Sequence, residues 1–94
     1  MDSEATSSRR RHKLPFIQHT RNGLCYWKVE PTGDYETDNR LGSSYAILAV
    51  NYMREKNFSS LLGWIIQDMA AYGNDADREM RMAFCQTLAD ILIH

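Results

Sequence analysis

Phe16-Ile17-Gln18-His19-Thr20-Arg21-Asn22-Gly23-Leu24-Cys25-Tyr26-Trp27-Lys28-Val29 is the stretch whose reading decides the fold. Asn-Gly between two runs of strand-forming residues is a strong short-range hairpin signal, because a type I′ turn needs positive φ at both central positions. A turn at Asn22-Gly23 pairs Arg21 with Leu24, His19 with Tyr26 and Ile17 with Lys28 on one face. Thr20/Cys25, Gln18/Trp27 and Phe16/Val29 share the other, which is the expected core side. Glu30-Pro31-Thr32-Gly33 fits a type I turn and ends the second strand. A lone two-stranded hairpin is marginal in water, so this one needs helices to lie on.

The rest of the chain supplies three. From about Asn39 to Lys56, Leu41, Tyr45, Leu48, Ala49, Tyr52 and Met53 recur at helical spacing, with Ala46, Ile47 and Val50 widening the stripe. This predicts a central helix buried on more than one side, with Asp38 as its N-cap. Ser59 or Ser60 is the expected cap of a second helix that runs to Tyr72 and ends on a left-handed Gly73, with Leu61, Leu62, Ile65, Ile66 and Met69 inside. Gly63 within it marks either a close approach or a tolerated defect. Asp75 or Asp77 caps a third helix from about Ala76 to Ile93, its stripe being Met80, Phe84, Leu88, Ile91 and Leu92. The expected fold is α+β, mainly α: an N-terminal β-hairpin packed on a three-helix bundle. Trp27, Val29, Leu48, Tyr52, Leu62, Ile65, Ile66, Phe84 and Leu88 form its predicted core.

Composition narrows what such a fold does. The chain has 94 residues, 44% of them hydrophobic, and a formal net charge of −1. That suits one small globular domain and gives no global field for nucleic acid or an anionic membrane. The near-neutral total hides a partition. Residues 1–21 carry five basic and two acidic groups, a charge of +3, and the remainder six basic and ten acidic, a charge of −4. Residues 1–13 are Ser- and Arg-rich without apolar periodicity and read as a flexible basic arm, leaving 14–94 as a single compact domain. No apolar run approaches the roughly 18 residues of a membrane span, and no signal-peptide pattern follows the arm, so a reducing cytoplasm is expected.

The chemistry-bearing residues form no catalytic or metal pattern. Cys25 and Cys85 are sixty positions apart and His12, His19 and His94 stand away from them, which indicates neither a disulfide framework nor a zinc site. Asp34, Glu36 and Asp38 alternate like calcium ligands, but a twelve-residue loop starting there has Asn39 where glycine belongs and Tyr45 where a bidentate glutamate belongs. They read as an acidic helix entry, favourable to the helix dipole. Cys85 reads as a buried, inert thiol and His19 as a solvated side chain. No G-x-S-x-G, phosphate loop or H-E-x-x-H is present. No enzyme and no cofactor is expected.

Two binding readings remain. Arg9, Arg10, Arg11 and Lys13, with His12 among them, would neutralise phosphates as a nucleic-acid-binding arm, in an accessory regulator or a ribbon-helix-helix-like dimer. Against the latter stand about ten residues between strand and helix and an outward strand face, Leu24, Tyr26 and Lys28, poor in base-reading groups. The other reading is a protein contact. Trp64 lies off the Leu61/Ile65 and Leu62/Ile66 rows, and Ile91-Leu92-Ile93 is more apolar than a chain end requires. Trp64, Ile91, Leu92 and Ile93 are therefore the candidate partner interface, with a second copy of the chain as one candidate partner.

At Trp27-Lys28-Val29-Glu30-Pro31-Thr32-Gly33-Asp34-Tyr35 the sequence resembles a group of small uncharacterised proteins of proteobacterial genomes and mobile elements. The resemblance continues through Gly42, Tyr45-Ala46, Tyr52-Met53-Arg54, Leu61-Leu62-Gly63-Trp64-Ile65 and Asp68-Met69, and into Gln86-Thr87-Leu88-Ala89. It spans about residues 24–90 and omits the arm. It implies a bacterial or phage origin and carries over no activity and no functional residue. The function expected is that of a non-enzymatic accessory protein acting through protein–protein interaction.

Overall fold

A computed structural model describes residues 14–21 and 23–93. The chain is mainly helical: an antiparallel hairpin of β1 (Gln18–Thr20) and β2 (Gly23–Cys25) packs against helices α1 (Tyr35–Lys56), α2 (Ser60–Tyr72) and α3 (Arg78–Ile93). The hairpin is where expected, but its register is not. Gln18 pairs with Cys25, His19 with Leu24 and Thr20 with Gly23, so Gly23, at φ 112°, opens β2 instead of sitting inside the turn. The Thr20 hydroxyl donates to the Gly23 carbonyl at 2.7 Å.

Packing explains the shift. Ile17 N–H donates to Leu14 O at 3.1 Å and Lys28 N–H to Phe16 O at 2.8 Å. That turn brings Leu14, Phe16 and Ile17 into the core together with Trp27. Ile17, expected outside, is buried, whereas Gln18 and Thr20, expected inside, are exposed. The Phe16 and Trp27 ring centroids are 5.8 Å apart, and joint burial of two such rings outweighs the preference of one dipeptide for a turn.

α1 starts four residues before the predicted Asn39, and its N-cap is Asp34, not Asp38. The Asp34 carboxylate accepts from Thr37 N at 2.9 Å and Thr37 Oγ1 at 2.6 Å. Asp38, one turn in, is buried. It accepts from Thr32 N at 2.9 Å, Thr32 Oγ1 at 2.8 Å and Gly33 N at 3.2 Å, which ties the incoming loop to the helix. α1 ends on left-handed Asn57, φ 53°.

Ser59 holds the N-cap position of α2 without a side-chain hydrogen bond, and Gly73 after it is extended, φ −64° and ψ 150°, instead of left-handed. Glycine is needed there for space, since a Cβ would stand 2.5 Å from the Met69 backbone carbonyl oxygen and 2.8 Å from Arg81 Cδ. A short 3-10 turn, Asp75–Asp77, leads into α3 and is capped by Asn74, in place of either predicted aspartate. Asn74 Oδ1 accepts from Ala76 N at 2.8 Å while Asn74 N–H donates to Asp77 Oδ1 at 3.2 Å.

α1 and α3 run side by side in the same direction: Asn39 Nδ2 donates to Glu79 Oε2 at 2.7 Å, and Thr87 Oγ1 to Ser43 Oγ at 2.8 Å. Between these contacts Gly42 faces the Met80 carbonyl and Ala83, so closely that a Cβ would overlap them. Phe16 fills the centre, with ring centroids 5.0 Å from Tyr45 and 6.0 Å from Phe84. Of the predicted core, Trp27, Ile65, Phe84 and Leu88 are buried and Val29, Tyr52 and Leu62 half-buried. Leu48 and Ile66 are corrections, at 41% and 46% exposed. α1 buries a single side through Gly42, Ala46, Ala49 and Val50, not several. Cys85, expected buried, is exposed.

Candidate protein-binding surface

α2 is the most apolar helix of the fold, and it buries only Leu61, Ile65 and Met69. At 3.6 residues per turn the opposite side presents Gly63, Ile66, Gln67 and Ala70, all exposed, with Leu62 half-buried at its edge. Asp68 is the single charge between Ser59 and Tyr72. Its Oδ2 accepts from Tyr26 N at 2.7 Å, so it serves the hairpin and leaves the outer side without any charge. A Cβ at Gly63 would meet nothing within 4 Å, which makes this glycine a tolerated interruption and not a contact point within the monomer.

Trp64 borders this side. It is 41% exposed, and its ring is held between Tyr26 and Phe58, each with centroids 5.2 Å away. Burial, then the nearby Asp68 carboxylate and Tyr52, push the Tyr26 hydroxyl above its ordinary pKa. A fixed, half-exposed aromatic loses little side-chain freedom on contact, the property that makes such residues anchors.

The other predicted interface residues lie on α3. Ile91 is half-buried against the core, whereas Leu92 and Ile93 are 74% and 76% exposed. The ring neighbours of Trp64 come from the hairpin and from the loop before α2, so the candidates divide between two helices. Arg9, Arg10, Arg11 and Lys13 lie outside the described residues.

The acidic stretch ahead of α1 is explained by capping. Hydrogen bonds from Thr37 hold the Asp34 carboxyl below the usual carboxylate range, and those from Thr32 and Gly33 hold Asp38 below it against the opposing effect of burial. A cavity of about 370 Å³ lies between the hairpin and the Asn74–Asp77 turn, lined in part by Cys25, Trp27, Lys28, Tyr72 and Asp77. Asp77 is already engaged there. It accepts from Trp27 Nε1 at 3.2 Å, from Arg81 Nε at 2.5 Å and from Asn74 N. The carboxylate that faces this cavity is thus already paired. Among the described residues no group of three or more His, Cys, Asp or Glu is placed to hold a metal ion, and no helix is long and apolar enough to cross a membrane.

The sequence points to Trp64 but not to the uncharged side next to it, because the helical spacing places Ile66 and Leu62 inward. The available signal was the lone Asp68 in fourteen residues. Set against models of known families, curated proteins and solved structures, the chain matches none.

Proposed function

We propose that this chain is a non-enzymatic accessory protein that acts in the cytoplasm by binding another protein, with the outer side of α2 as the contact and Trp64 as its anchor. The observation that carries this reading is the exposed, chargeless side of α2, where Gly63 and Ala70 let a partner backbone approach and Ile66 supplies apolar area. Ile66 leaves nearly half of its surface in water in the monomer, area that a partner would cover. The bacterial or phage origin rests on the resemblance carried by residues 24–90.

The test is affinity capture from bacterial lysate with the native chain, the Ile66→Asp variant and a chain lacking residues 1–13, each checked by circular dichroism. A partner held by the native chain should be lost at least tenfold with Ile66→Asp, because the contact would bury an unpaired charge, and kept when the arm is removed. A native chain that captures nothing, yet binds duplex or single-stranded oligonucleotides in a manner lost at high salt and on deletion of the arm, replaces this reading with nucleic-acid binding.

A further inference from the structure

α3 carries a second uncovered stripe, independent of α2. Its buried row is Met80, Phe84 and Leu88. On the reverse, Met82, Cys85, Ala89 and Leu92 follow the alternating spacing of three and four residues of a coiled-coil seam. Met82 is 56% and Leu92 74% exposed, Cys85 is exposed, and Ala89 is half-buried. The stripe contains no charge, and one turn ahead of it, at the next seam position, stands exposed Arg78. Large residues occupy the two ends of the seam and small ones the middle, a profile that lets two helices approach closely at the centre.

We infer that this stripe pairs with the same stripe of a second copy, the two α3 helices running antiparallel about a two-fold axis near Thr87. Residues 1–13 do not suit it as cover, since they are basic and serine-rich with almost no apolar side chains. A second copy does: Met82 packs on the partner's Leu92 and Cys85 on the partner's Ala89. Charge selects the direction. Among the described residues the last turn of α3 holds no basic side chain, so its terminal carbonyls, with their negative dipole end, favour a cation from a partner. Antiparallel pairing carries Arg78 just past that end of the partner helix, where it caps those carbonyls. Parallel pairing would instead set Arg78 against the partner's Arg78, a repulsive contact. The inference is independent of the α2 contact, so either stands without the other.

The thiol makes the geometry testable. With about 1.5 Å of rise per residue, the two Cys85 positions lie on opposite sides of the axis, about 6 Å apart along the helices before the lateral gap is added. That is too far for a direct disulfide. Cys85 and position 89 of the partner are directly opposed. In a Cys25→Ser background, a chain retaining Cys85 and a chain with Cys85→Ser plus Ala89→Cys are oxidised with diamide, separately and mixed. The mixture should give a disulfide-linked dimer in at least tenfold excess over either chain alone. Sedimentation equilibrium of the native chain should show a mass rising with concentration towards twice 10.9 kDa. Leu92→Lys should remove that rise with helicity intact, whereas Ile66→Asp should leave it unchanged. A native chain that stays monomeric at millimolar concentration, or a Leu92→Lys variant that still associates, overturns the pairing. Preferential linkage in the Cys85 chain alone overturns its antiparallel direction.

Discussion

Gly42→Ala is expected to destabilise this protein although alanine is the better helix former. In an open helix interior the exchange contributes about 1 kcal/mol of stability. Here the added Cβ would overlap the Met80 carbonyl oxygen and stand 3.0 Å from Ala83 Cβ. The Met80 group is backbone within α3 and cannot rotate away, so α1 and α3 must separate where Ala46, Ala49 and Phe84 pack. Overpacking of a tight contact costs about 1–3 kcal/mol. Separation also loosens Ser43–Thr87, placing the gross cost near the top of that range. After the propensity gain is subtracted, a net loss of about 1–2 kcal/mol remains, or about 5–15 °C in a domain of this size. Gly63→Ala is the internal control. It lies mid-helix in α2 with nothing within 4 Å of a new Cβ, and it should gain about 0.5–1 kcal/mol. Urea denaturation of the three chains, followed by far-ultraviolet circular dichroism, measures both. If Gly42→Ala matches or exceeds the native midpoint, the helices do not cross at that glycine and the packing argument is wrong.

Trp27→Ala should cost about 3–5 kcal/mol by emptying a fully buried site. Trp27→Phe should cost about 1–2 kcal/mol, mostly through loss of the Nε1 hydrogen bond to Asp77, and an unchanged urea midpoint for either would place the ring elsewhere. Asp34 and Asp38, depressed by their Thr37, Thr32 and Gly33 hydrogen bonds, should titrate below the usual value of about 3.9 in carboxyl-detected NMR. Because their folded pKa values lie below the unfolded ones, their stabilisation is complete above the unfolded value and is lost as pH falls through the folded values. Asp38→Ala should then flatten that acid limb and speed amide exchange at Thr32 and Gly33, and an unaltered acid limb would count against the loop–helix tie.

What was legible in the sequence was periodic. Leu61, Ile65 and Met69 recur at the helical interval, as do Met80, Phe84 and Leu88, and a stripe repeated over three or four turns leaves little choice of phase. The hairpin was legible for a different reason, since Asn22-Gly23 marks a reversal between two apolar runs. Its register was not, because it is fixed by Phe16 and Trp27 meeting each other and Phe84, and such long-range contacts leave no local trace. The start of α1 was hidden by two suitable caps four residues apart. Asp34 and Asp38 carry the same chemistry, and only the loop geometry at Thr32 and Gly33 assigns one to the helix end and the other to the loop.

The candidate surfaces were hidden by a more general ambiguity. Apolarity says that a side chain gains from leaving water, not which body covers it. Ile66 and Leu48 satisfy the helical rule as well as Ile65 and Ala49 do, and Cys85 follows buried Phe84 in sequence yet stands on the exposed side of α3. In a fold of three helices and one short hairpin each helix has neighbours on a single side, so a second apolar row finds no cover within the monomer. The rows around Ile66 and along Met82–Leu92 therefore add little to the stability of one isolated chain, and such uncovered area favours self-adhesion in water. A partner bound to either row stabilises the fold by mass action, in proportion to the logarithm of its concentration over Kd. On the proposed reading folding and recognition would be coupled: α2 is held by Leu61, Ile65, Met69 and the Asp68–Tyr26 bond, and a partner on its outer side would reinforce that docking.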